Sequence, residues 1–209
     1  MKSRYLSVIV AFFYCTNAYA FDVLAFGTSA INCKGVPRDQ IFSVKLQGDL
    51  RADGIDATVI NAGQDGDLPA WMLKRLQPLL TPNIKLVIFE PGPNAKNKEQ
   101  TLPYAEEILA MLQKRQIATI YVSIDRFQSK EDADKMAKKY GAFAYGHWAH
   151  DIPLDAKHFQ FDQAQGGKGQ GGHLTAEGCA LWAKTMTPFA ESVIKQSGIR
   201  CLHLVWVAA

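Results

Sequence analysis

The stretch Ile84-Lys85-Leu86-Val87-Ile88-Phe89-Glu90 decides the fold. It is apolar almost without interruption, rich in β-branched and aromatic residues, and closed by Pro91-Gly92-Pro93-Asn94, so it reads as a strand covered on both faces. A strand of that kind belongs to a parallel sheet between two layers of helix. Working outward, Asp22 to Phe26, Ala57 to Asn61, Ile117 to Ser123 and Ala142 to Tyr145 have the same β-rich character. Amphipathic helical patterns separate them over Asp39 to Ala52, Leu68 to Leu80, Gln100 to Arg115 and Lys130 to Lys139, and a last one covers Ala176 to Ser197. This alternation predicts a three-layer α/β/α sandwich with a central parallel sheet, whose chemistry sits in the loops after the carboxyl ends of the strands.

The 209 residues suit one domain. A net charge of +3 is too small and too dispersed for nucleic-acid binding, so a small molecule or a neutral polymer is the expected partner. Lys2 and Arg4, an apolar run from Tyr5 to Tyr14 and the small-x-small tripeptide Ala18-Tyr19-Ala20 read as a signal peptide over residues 1–20. The domain then covers 21–209, and the protein is expected to be exported, to the periplasm or the medium. The apolar run is far short of the roughly 20 residues that cross a bilayer, so no stable membrane anchor is expected. Export permits disulfides among Cys33, Cys179 and Cys201. A helix over Ala176 to Ser197 would hold Cys179 and Cys201 about 30 Å apart at about 1.5 Å per residue, whereas a bridge needs Cα atoms within about 7 Å. Geometry therefore favours a bridge that uses Cys33.

The strand ends carry the chemistry. Gly27-Thr28-Ser29 follows the first strand, Asn61-Ala62-Gly63-Gln64-Asp65-Gly66 the second and Pro91-Gly92-Pro93-Asn94 the third, while His173 precedes the last helix. A hydroxyl, a glycine-rich backbone, a side-chain amide and an imidazole are the parts that acyl transfer needs. With Ser29, Gly63, Asn94 and His173 in this order, the chain resembles the SGNH, or GDSL-like, hydrolases from Val23 to about Ile194. That resemblance implies a flavodoxin-like sheet and a serine esterase. Ser29 would attack the ester carbonyl, with His173 as general base and then general acid. The N–H groups of Ser29 and Gly63 and the Asn94 amide would hold the oxyanion. It implies no metal and no cofactor, and a small-molecule or carbohydrate ester as substrate.

Two positions depart from the family pattern. Thr28 replaces the Asp of Gly-Asp-Ser, and Gln170 stands three residues before His173 where an Asp is usual. Gln170 can orient the imidazole but cannot stabilise its charged form, and a neutral amide at the acid position of a serine-protease triad lowers turnover about 10⁴-fold. A backbone carbonyl or Asp162 would restore orientation; otherwise the chain is a silent relative that binds a glycan or an acylated partner through the same cleft. The pair His147 and His150 lacks the further ligands of a metal site and reads as packing or surface. Trp148, Phe159 and Phe161 suit the core, with one of them available to line a pocket. Gln163 to Gly172 reads as a loop, Ser129 to Lys139 as a solvated helix face, and Leu202 to Ala209 as an apolar tail open to several uses.

Overall fold

The computed structural model describes residues 20–123, 126–161 and 172–199. Five parallel strands, β1 (Phe21–Gly27), β2 (Ala57–Gly63), β3 (Ile84–Phe89), β4 (Ala118–Ser123) and β5 (Phe143–His147), form one sheet in the order β2-β1-β3-β4-β5. Helices α1 (Ser29–Asn32), α2 (Phe42–Ala52) and α6 (Ala176–Gln196) cover one face, and α3 (Pro69–Leu76), α4 (Leu102–Lys114) and α5 (Lys130–Lys139) the other.

The two faces follow from the two-residue period of a strand. In β1, Val23 and Ala25 enter the core shared with α2 and α6, whereas Leu24 and Phe26 enter the core shared with α3 and α4. In β3, Leu86 and Ile88 take the first side and Val87 and Phe89 the second. All six of these β1 and β3 apolar residues other than Ala25 and Leu24 are as fully covered as those two, which explains the unbroken apolar run. Trp182 of α6 stacks on Phe42 of α2 with ring centroids 4.0 Å apart and forms the largest buried side chain on its side.

Several boundaries differ from expectation for local reasons. The helix predicted from Asp39 starts at Phe42, because residues 38–40 form a turn in which Gln40 N–H bonds to Pro37 O. The helix predicted to Leu80 ends at Leu76 and continues as one 3₁₀ turn, Gln77–Leu79, where Pro78 lacks the N–H an α-helix would use. The fifth strand runs to His147 rather than Tyr145. Two elements were not foreseen at all: the single turn α1, and a hairpin of β6 (Phe159–Gln160) with β7 (His173–Leu174).

Cys33 caps α1 in a left-handed conformation and is bonded to Cys179 of α6, with Cα atoms 6.7 Å apart. Cys201, residues 1–19 of the segment read as a signal peptide and the apolar tail lie outside the described residues, as do Asp162 and Gln170. Among the described residues no helix is long and apolar enough to cross a membrane.

Candidate active site

β1, β2 and β3 are neighbours in register, with Gly27 beside Gly63 and Phe26 beside Phe89, so their three carboxyl ends open onto one place. Ser29 stands there at the first position of α1. The N–H groups of a helix's first turn have no partner within the helix, so that of Ser29 faces the loops rather than its own backbone. His173 arrives from the other end of the chain on β7, and its Nε2 lies 3.0 Å from Ser29 Oγ across 144 residues of sequence. This is the nucleophile-to-base distance that acyl transfer requires.

The imidazole is half-buried and its pKa lies below the ordinary value of 6.5. Burial is the main cause, the positive charge of Lys34 adds to it, and Asp65 partly opposes both. A lowered pKa leaves the ring neutral at physiological pH, which is the state able to take a proton. The ring's strand is held by Gln160, whose Nε2 donates to Leu174 O at 2.5 Å and to Lys34 O at 2.8 Å. Among the described residues no carboxylate is hydrogen-bonded to His173.

Beneath Ser29 the turn is fastened by side chains that sequence patterns did not single out. Arg75 of α3 donates to Gly27 O at 3.0 Å and Ala62 O at 2.9 Å, lies over the Phe26 ring and pairs with the fully buried Asp67 at 2.5 Å. One planar guanidinium thus joins the ends of β1 and β2. Glu90, also buried, accepts from Thr28 N–H at 3.0 Å and from Thr28 Oγ1 at 2.8 Å. An acid closing an otherwise apolar strand was the available signal for Glu90. Thr28, the departure from Gly-Asp-Ser, therefore acts as a donor to a carboxylate supplied by the neighbouring strand.

The two predicted oxyanion donors sit differently. Asn94 donates one amide hydrogen to Asp67 O at 2.9 Å, which holds the side chain in place and leaves the other hydrogen of the NH₂ group. Gly63 N–H already donates to Asn61 Oδ1 at 3.0 Å. A Cβ on Gly63 would overlap the backbone of Ile31 and Asn32, so this glycine is required for the close approach of β2 to α1. A latch completes that contact: Asn32 Nδ2 donates to Asp65 Oδ1 at 2.8 Å, and Arg38 to Asn32 Oδ1 at 2.8 Å.

The other candidates belong to the frame. His147 ends β5 rather than lying on a helix with His150, and His150 pairs with Asp151 at 2.8 Å. Trp148, Phe159 and Phe161 all join the core on the α6 side, Phe159 buried and the other two partly so.

No family model matches the chain, and no curated protein matches it by sequence. Solved structures do match. AlinE4, an SGNH-hydrolase family esterase, superposes with a TM-score of 0.58 at 24% identity, over 85% of this chain and 97% of that one. TesA gives 0.70 at 18% over 82% and 99%. The chain has the SGNH-hydrolase fold. A carbohydrate acetylesterase family member from Sinorhizobium meliloti superposes with a TM-score of 0.60 at 16% identity, over 84% of this chain and 99% of that one.

Proposed function

We propose that this protein is a serine ester hydrolase that works through an acyl-enzyme. The observation that carries the reading is the 3.0 Å contact between Ser29 Oγ and His173 Nε2 at the mouth of three parallel strands. His173 takes the hydroxyl proton as Ser29 Oγ attacks the carbonyl carbon, the carbonyl π electrons move to oxygen, and the oxyanion is met by Ser29 N–H and the second amide hydrogen of Asn94. Collapse breaks the ester C–O bond while His173 returns the proton to the leaving alcohol. Water then repeats the sequence on the acyl-enzyme and releases the acid. Gly63 joins the oxyanion hole only when its bond to Asn61 opens, so its contribution depends on substrate. Gln170 is assigned to orient the imidazole, in place of the usual Asp.

The names of AlinE4 and the Sinorhizobium meliloti protein support simple esters and O-acetylated carbohydrates as the substrates to try first. Export is part of the same reading: a signal peptide over 1–20 explains the amino terminus, and the Cys33–Cys179 bond fits an oxidising compartment. A second reading, a silent relative that binds an acylated or glycan partner, is favoured by one observation, that no carboxylate among the described residues bonds His173. Hydrolysis of p-nitrophenyl acetate and labelling by a fluorophosphonate separate the two. Turnover and labelling that disappear in Ser29→Ala establish the esterase; a folded protein with neither establishes the binder.

A further inference from the structure

Glu90 is a buried carboxylate for which the proposed mechanism has no use. It is 1% exposed, and leaving an acid in an apolar interior costs several kcal/mol unless its oxygens are satisfied. Its partners lie on two loops. From the nucleophile turn, Thr28 supplies both its N–H and its hydroxyl to Oε2. On the loop that leads to Asn94, the backbone N–H of Gly92 also favours the charged form of the same carboxylate, less than Thr28 does. Glu90 N–H continues the sheet by donating to Phe26 O at 2.9 Å, so the backbone that carries the carboxylate is anchored to β1.

The surrounding glycines show how little slack the arrangement has. A Cβ on Gly27 would stand 2.8 Å from Glu90 Oε2 and 2.9 Å from Glu90 O. A Cβ on Gly92, whose φ is +70°, would overlap the Thr28 side chain. Thr28 is thus pressed between Glu90 and Gly92, with Ser29 the next residue on one side and Asn94 two residues beyond Gly92 on the other. Two Thr28 donors converge on one carboxylate oxygen and favour its charged form, while burial, the larger effect, raises the pKa of the carboxyl above its ordinary value.

We infer that Glu90 is a positioning residue whose carboxylate ties the nucleophile turn to the Asn94 loop, and so fixes the distance between the attacking hydroxyl and the oxyanion donor. The inference rests on the esterase reading for its kinetic meaning, but its structural content stands alone. A group that sets this distance acts on kcat rather than on substrate affinity, because the separation matters most when the carbonyl oxygen becomes an oxyanion. Misplacement by about 1 Å costs on the order of 10²-fold in rate.

The test compares wild type with Glu90→Gln and Glu90→Leu, following p-nitrophenyl acetate hydrolysis, thermal midpoint and crystal structures together. Gln keeps an oxygen for Thr28 but turns an NH₂ towards the remaining donor, whereas Leu keeps volume and removes every acceptor. The expected result is a kcat lowered about 10-fold in Glu90→Gln and on the order of 10²-fold in Glu90→Leu, with KM within about twofold of wild type. The crystal structures should show residues 28–29 displaced from residues 92–94. If Glu90→Leu fails to fold, Glu90→Gln carries the test alone. A folded variant with a lower thermal midpoint but unchanged kcat overturns the inference and leaves Glu90 a fold residue. If wild type proves inactive, the esterase reading falls and the structures decide: unmoved loops with Ser29 Oγ still 3.0 Å from His173 Nε2 overturn the inference, and displaced loops sustain it.

Discussion

Ser29 stands on the carboxyl end of a central strand, whereas His173 stands on a two-residue strand outside the main sheet. The nucleophile's neighbourhood is held by ionisable side chains, buried Glu90 on Thr28 and part-buried Arg75 on Gly27 O, with buried Asp67 behind Arg75. The base's neighbourhood is held by Gln160, by the two-residue β6–β7 pairing and by the covalent bond from Cys179 back to Cys33. One half is fixed by a sheet that exists for its own reasons; the other has to be fastened to it. Sites of this type then fail in two ways, by losing chemistry on the strand side or by losing registration on the hairpin side.

The largest effect expected is chemical and ignores the difference between the halves. Ser29→Ala and His173→Ala should each lower ester hydrolysis on the order of 10³-fold or more, and the double variant should lose little beyond either single one, since the two act as a unit. Additive losses in a steady-state assay would break the pairing seen at 3.0 Å. Next comes Asn94→Ala, which removes one oxyanion donor and should cost on the order of 10²-fold in kcat with KM nearly unchanged. An equal loss from Gly63→Ala with no change in stability would show that the contact with Asn32 is less tight than its geometry requires.

Removing the bond that fastens the hairpin side sharpens the comparison. The double variant Cys33→Ala with Cys179→Ala should lose about 2–5 kcal/mol of stability, or roughly 5–15 °C in thermal midpoint for a domain of this size. At temperatures where the variant stays folded, kcat should fall while labelling by a fluorophosphonate slows in proportion. A midpoint that drops with kcat intact would assign the bridge to stability alone. The smallest effect is electrostatic. Lys34 lowers the pKa of His173, so Lys34→Glu should move the acid limb of the pH–rate profile to higher pH. Asp65 acts the other way, so Asp65→Asn should move the limb to lower pH. Since the neutral imidazole is the active base, the wild-type limb itself should fall below pH 6.5.

The strand side was legible in the sequence and the hairpin side was not, for a physical reason. Buried parallel strands must be apolar over their whole length, so Ile84 to Phe89 announces itself, and the turn that follows each strand can be read for donors and nucleophiles. Ser29 and Asn94 were singled out this way and His173 by its place before the last helical pattern, with the resemblance to the SGNH hydrolases ordering them. A strand of two residues has no period to detect, and α1 is a single turn. Gly63 looked like an oxyanion donor because only geometry reveals that its N–H is taken by Asn61. Arg75 and Asp67 carry no local pattern, since their partners come from three different strands and loops. Gln170 lies outside the described residues, and its assignment beside the imidazole rests on spacing.

The disulfide closes a loop of sequence almost identical to the one closed by the nucleophile and base, 146 residues apart for the cysteines and 144 for Ser29 and His173. A chain emerging amino end first presents Ser29 and Cys33 as separate groups while the last helix has yet to be made. Nothing reactive exists at that stage, because a serine hydroxyl without its base is an ordinary alcohol. In the folded chain the bond holds α6 against the turn that follows Ser29, on the side from which the imidazole comes. The bridge and the pair therefore depend on the same far segment: a chain cut short before α6 has neither, and in the folded chain the two close the same long loop side by side.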